Sequence, residues 1–142
     1  MKKLFALLAI AGFATGVANA QHLKESQVPS KVKLAFQQTY PNTMGKWEQE
    51  DHKYEVNFMH EGQTMSAVID KMGNITETET DIAIKQLPPT ISDYVKQHYK
   101  GAQITEASSI KKSGGEMNYE ARVKGKDVIF DGSGKFIKEV KD

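Results

Sequence analysis

Val28, Val32, Ala35, Phe36 and Tyr40 recur with the spacing of one helical stripe, and Pro41 stops the run after Tyr40. Pro29 suits the first turn, where its missing N–H would have no partner anyway. Lys31, Lys33, Gln37 and Gln38 point away from the stripe and read as a solvated face. Period-two alternation follows. Lys46 to Glu50 and His52 to Met59 predict a hairpin with Tyr54, Val56 and Phe58 on one face. Gly62 and Gly73 mark the next turns, with strands over Thr64 to Asp70 and Ile75 to Thr80; the Thr- and Glu-rich Ile75 strand reads as a protected sheet edge. Gln21 to Gln27 is polar and reads as a frayed lead-in.

The pattern then returns. Leu87, Ile91, Tyr94, Val95 and Tyr99 repeat the stripe after Pro88, with Gly101 as the expected C-cap. Val28-Pro29 matches Leu87-Pro88 at an offset of 59, Tyr54 matches Tyr119 at 65, and Asp70 matches Asp131 at 61. The offsets change only at turns, where length varies at little cost. The expected class is α+β: two tandem α-β4 repeats, about 28–82 and 87–142, sharing one antiparallel sheet with both helices on one face. The other face must be solvated or occupied.

The first residues stand apart from this scheme. Lys2 and Lys3 precede an apolar run from Leu4 to Phe13, and Ala18-Asn-Ala20 has the small-x-small form of a cleavage site, so 1–20 reads as a signal peptide. Cleavage there leaves a single domain, 21–142, destined for the periplasm or for secretion. No later run approaches membrane-spanning length. The chain has no cysteine, which removes disulfides, thiolate metal sites and a thiol nucleophile. Without Lys2 and Lys3, the 19 basic residues fall to 17, against 18 acidic ones, and the signs alternate, so nothing suggests nucleic acid.

Candidate chemistry is sparse. His52 and His60 end one strand, roughly 26 Å apart, too far to share a metal. His22 and His98 lie elsewhere, and all four read as surface histidines. The turns at Asp70 and Asp131 lack the ligand spacing of an EF-hand; their carboxylates are expected to bond backbone N–H groups of their own turns. No serine sits in a nucleophile elbow, and Glu48, Glu50 and Asp51 read as solvated carboxylates near a turn. No cofactor is expected. Trp47 depends on the turn at Asp51: two residues place it with Tyr54, Val56 and Phe58, three residues on the other face.

The signal peptide, the doubled Val28-Pro-x-x-Val32 and Leu87-Pro-x-x-Ile91 helices ending in Tyr, the Tyr54-Glu and Tyr119-Glu strands, and the Ile69-Asp-x-x-Gly73 and Phe130-Asp-x-x-Gly134 turns resemble the PepSY-like, beta-lactamase-inhibitor-like proteins exported by Gram-negative bacteria. That resemblance implies a fold like the beta-lactamase inhibitor protein, whose sheet grips an enzyme, and no catalytic activity. The expectation is an exported, non-enzymatic binding module for another envelope or secreted protein, with restraint of an envelope enzyme such as a protease as one use. The expected contact face is Glu55, Asn57 and Met59 together with Asn118, Glu120 and Arg122. A small-molecule carrier is the alternative, and a hydrolase a more distant one.

Overall fold

The computed structural model describes residues 20–141. Apart from Ala20, the expected signal peptide lies outside the described residues. Among the described residues, nine strands and two α-helices form an α+β structure, the strands lying in one antiparallel sheet in chain order. They are β1 (Gln21–Leu23), α1 (Ser30–Thr39), β2 (Gly45–Glu50), β3 (Lys53–His60), β4 (Gln63–Ile69), β5 (Ile75–Ile82), α2 (Pro89–His98), β6 (Ile104–Lys112), β7 (Met117–Val123), β8 (Lys126–Asp131) and β9 (Phe136–Lys141). The chain divides into two compact units, one running to Thr78 and one beginning at Glu79.

In the first unit, α1 buries Val32 and Phe36 against Trp47, Val56, Phe58, Ala67 and Ile69. Phe36 meets Phe58 at 5.0 Å and Trp47 at 5.5 Å, both edge-on, and Tyr40 lies 4.6 Å from Phe58. Edge-on ring pairs add about 0.5–1.5 kcal/mol to the burial of their area. The turn after Glu50 has two residues, with positive φ at both Asp51 and His52, which matches the strand twist. That register sets Trp47 opposite Val56, in the core.

In the second unit, α2 buries Ile91 and Val95 against Ala107, Ala121, Val123, Val128 and Phe130. This core is mainly aliphatic where the first is aromatic. Phe130 is the ring of its buried cluster; Tyr94 stands edge-on to it at 5.4 Å and stacks on Phe136 at 5.0 Å. The Tyr99 hydroxyl donates to Glu139 Oε2 at 2.6 Å, and Lys126 Nζ donates to Glu139 Oε1 at 2.8 Å. Burial, then the Glu139 carboxylate, push the Tyr99 hydroxyl up to about 12.

Three expectations change. Gln21 to Gln27 is not frayed: β1 pairs with β2, and a 3-10 turn at Glu25–Gln27 leads into α1. The Gln27 side chain accepts the N–H of Lys24 at 2.8 Å, and Gln86 does the same for Ala83 before α2, also at 2.8 Å. Second, β5 has a strand on either side and is not an edge. Third, Tyr99 caps α2, its N–H donating to the Val95 carbonyl; Gly101 lies in the following turn.

The Asp turns behave as the sequence indicates. Asp70 Oδ1 accepts the N–H groups of Met72 and Asn74, both at 2.9 Å, and Oδ2 accepts Asn74 Nδ2. Asp131 Oδ1 accepts the N–H groups of Ser133 and Lys135 and the Ser133 hydroxyl. These bonds favour the ionised form and hold both carboxyls below their ordinary values. Glu50 is displaced the other way: burial, then Asp51 and Glu48, raise its carboxyl. Each Asp turn also carries a glycine set against its own helix. A Cβ on Gly73 would stand 3.0 Å from the Lys31 carbonyl oxygen; one on Gly134 would collide with Thr90 Oγ1 and lie 3.2 Å from Pro88 Cβ.

Two predictions follow from this geometry. Gly134, with φ of +83°, has neither the backbone angle nor the room for a side chain; Gly134→Ala should destabilise the protein by about 1–3 kcal/mol in urea unfolding. The carboxyls should give pH slopes of opposite sign. A lowered folded pKa contributes stability above the unfolded value that is lost as pH falls through the folded one, so Asp70→Asn should be less stable than wild type at neutral pH, the deficit closing on acidification below about pH 4. A raised pKa penalises the ionised form, so Glu50→Gln should be more stable than wild type at neutral pH, the advantage vanishing as pH falls through the carboxylate range. Thermal unfolding measured across pH 2.5 to 7.5 checks both (on the order of the range spanned by these groups).

Candidate functional site

The face of each unit turned away from its helix carries the expected contact residues, and the two units treat them differently. In the first unit, Trp47, Val56 and Ala67 face α1, so Lys46 and Glu48 of β2, Glu55, Asn57 and Met59 of β3, and Thr64, Ser66 and Val68 of β4 take the other face. Lys46, Asn57 and Ser66 form one cross-strand row, and Glu48, Glu55 and Val68 the next. Glu55 is buried, at 2% exposure, and so are Ser66 and Val68. His22 Nδ1 approaches Glu48 Oε1 at 3.0 Å, but His22 is so exposed that the pair contributes little.

Towards the other end of these strands the face opens. Met44 is 89% exposed and Met59 58%. They flank a hollow of about 470 Å³ with Phe58, Asn57 and Thr64 in its lining and the exposed Lys46 beside it. Thr64 Oγ1 lies 3.4 Å from Met59 Sδ. Asn57 Oδ1 is buried and has no hydrogen-bond partner. An acceptor left so costs about 1–3 kcal/mol, which an arriving donor would relieve.

In the second unit, Asn118, Glu120 and Arg122 of β7 lie on the face away from α2, opposite Tyr119, Ala121 and Val123 of the core. Asn118 is 1% exposed, and its Oδ1 also lacks a hydrogen-bond partner. Glu120 is half-buried. Arg122 Nη1 pairs with Asp127 Oδ1 at 3.1 Å, and the Asp127 side chain is only 2% exposed. Ile110 and Ile129, cross-strand neighbours of Asn118 and Glu120, are fully buried. Of the six expected contact residues, Glu55 and Asn118 are therefore buried, Asn57, Glu120 and Arg122 are partly exposed, and Met59 is open to solvent.

Other candidate chemistry stays dispersed. His52 sits in a turn, His60 packs edge-on to Tyr40 at 5.1 Å, and His98 stacks on Tyr94 at 4.1 Å. Among the described residues no three His, Asp or Glu side chains come together as a metal site, and no helix is long and apolar enough to cross a membrane. Sequence reasoning missed Met44 and Lys46. The signal was there, an apolar Met and a Lys on either side of Gly45, but only the hairpin register places them beside Asn57 and Met59.

A family model described as "Putative beta-lactamase-inhibitor-like, PepSY-like" matches residues 17–76 and again residues 52–138. Among solved structures, a DUF2874 family protein of Bacteroides uniformis matches with a TM-score of 0.68 at 17% identity, over 78% of this chain and 87% of that one. A Bacteroides eggerthii protein described as "putative periplasmic" matches with a TM-score of 0.69 at 14% identity, over 79% and 87%. A BLIP-like protein of Bacteroides fragilis matches with a TM-score of 0.57 at 23% identity, over 78% and 84%. At these identities the likeness is one of fold. No curated protein matches. The two family matches together span nearly all the described residues, and the chain belongs to the PepSY-like, beta-lactamase-inhibitor-like family.

Proposed function

We propose that this protein is an exported, non-catalytic binding module that holds another envelope or secreted protein on the sheet face away from its helices. In this reading residues 1–20 are a signal peptide, and 21–142 form one domain of two tandem α-β4 repeats, about 28–82 and 87–142, with both helices on one face. The observation that carries it is the hollow of the first unit: two exposed methionines beside an unpaired amide oxygen, an adaptable apolar surface with one polar fixture, as protein-binding surfaces have. Family membership and the BLIP-like neighbour support protein binding, and the "putative periplasmic" neighbour supports an envelope address. Restraint of an envelope enzyme such as a protease is one use of such a face. The carrier alternative gains nothing from the first core, where Phe36 touches Tyr40, Trp47 and Phe58 and rings occupy the layer between helix and strands.

Glu55, Asn57, Met59, Asn118, Glu120 and Arg122 do not serve equally as probes. Replacing Arg122 would take an ion-pair partner from the buried Asp127 carboxylate and disturb the fold, confusing binding with folding. Asn57→Glu and Glu120→Arg are better. With the mature chain as bait in periplasmic extract, a saturable partner identified by mass spectrometry should bind about tenfold or more weakly to at least one of these variants, with melting temperature retained. Undiminished affinity for both would remove this face from the reading. A small molecule retained through purification and seen by native mass spectrometry would favour the carrier.

A further inference from the structure

The outer edge of β2 is only half covered. β1 pairs with Trp47, Glu48 and Gln49 through Leu23, His22 and Gln21 and goes no further. Gly45 and Lys46 have cross-strand neighbours in β3 alone, Phe58 and Asn57. Bare strand edge here adjoins the hollow between Met44 and Met59, and the exposed Lys46 has no ion pair among the described residues.

These three features coincide within one short stretch. An uncovered strand edge offers backbone N–H and C=O groups to an incoming strand, while alternate side chains of that strand supply specificity. Lys46 shares the Asn57 face, so a residue paired opposite it would present its side chain beside the ammonium group. A residue two positions along would lie over the Met44–Met59 hollow. Methionine walls adapt to different apolar shapes, so the hollow is permissive for size and strict for polarity. On its helix side Gly45 adjoins a second hollow, lined by Glu25 and Lys33, whose opposite charges favour neither sign. The preference for charge therefore comes from Lys46.

We propose that the edge of β2 at Gly45–Lys46 binds an extended peptide segment of a partner protein, which adds as a strand beside β1, sets a large apolar side chain between Met44 and Met59, and places a carboxylate two residues away against Lys46. This rests on the binding-module reading and names the chemistry of its partner.

The test uses phage-displayed random dodecapeptides selected on the mature chain, followed by hydrogen exchange and affinity measurements on the enriched sequences. Enriched peptides should share an acidic residue two positions from a large apolar one. Binding should slow exchange of the Gly45 or Lys46 amide, the signature of strand pairing. Lys46→Glu and Met59→Asp, both at exposed positions, should each weaken binding about tenfold or more, and selection repeated on Lys46→Glu should exchange the acidic residue for a basic one. Absence of enrichment, peptides without the acid, affinity indifferent to both variants, or protection confined to other strands would overturn the site. An extract partner weakened by Glu120→Arg that leaves exchange at Gly45 and Lys46 unchanged would refute this site while keeping the module reading. Peptides meeting every criterion, with no extract partner, would uphold the site and count against the envelope-protein reading alone.

Discussion

Each unit depends on the close approach of an Asp-x-x-Gly turn to the first turn of its own helix. The aspartate carboxylate accepts two of the turn's N–H groups in each unit, so the tight reversal keeps those donors paired. The glycine then lets that backbone lie against Lys31 in the first unit and against Pro88 and Thr90 in the second. This fixes where the helix begins over its strands and therefore which side chains meet beneath it. The Gln27 and Gln86 turns hold the chain entering each helix just upstream. Helices of ten residues gain little from propensity alone, so docking of this kind decides whether they persist.

With the helix position set by backbone contacts, the layer beneath it is free to differ in chemistry. The first unit fills that layer with Phe36, Trp47 and Phe58, and the second with Ile91, Val95, Ala107 and Ala121. The smaller residues are offset by rings at the margin, where Tyr94 stacks on Phe136, and by the Tyr99–Glu139–Lys126 network tying the end of α2 to β8 and β9. A scaffold held by turns and caps tolerates such divergence because total volume matters more than the identity of each core residue.

What the sequence made legible was periodic or turn-encoded. The Val28–Tyr40 and Leu87–Tyr99 stripes, the alternation through Tyr54, Val56 and Phe58, and the Asp70 and Asp131 turns all have local signatures. Gln27 and Gln86 were hidden because a glutamine two residues before a proline carries no periodic signal; only its doubled occurrence points to them. Burial of Glu55 and Asn118 was hidden for another reason. Alternation assigns a residue to a face, but the depth of that face depends on neighbours brought by strand register, such as Val68 beside Glu55 and Ile110 beside Asn118. The ion pair of Arg122 with Asp127 likewise joins two strands across a turn whose register the sequence left unstated.

That register also makes the corresponding faces of the two units chemically different. On the second unit, Arg122 is committed to Asp127, two isoleucines are sealed, and Asn118 is too deeply buried to meet a partner without rearrangement. A partner there would break bonds before making any. On the first unit, Met44, Met59 and Lys46 are held by little, and the neighbouring strand edge is bare. Methionine side chains are unbranched and polarizable, so they can adapt their packing to apolar groups of different shape. Binding energy is available where the fold has left groups unsatisfied. In the first unit the unpaired Asn57 Oδ1 stands across from Lys46, next to the stretch of edge where β1 stops short along β2.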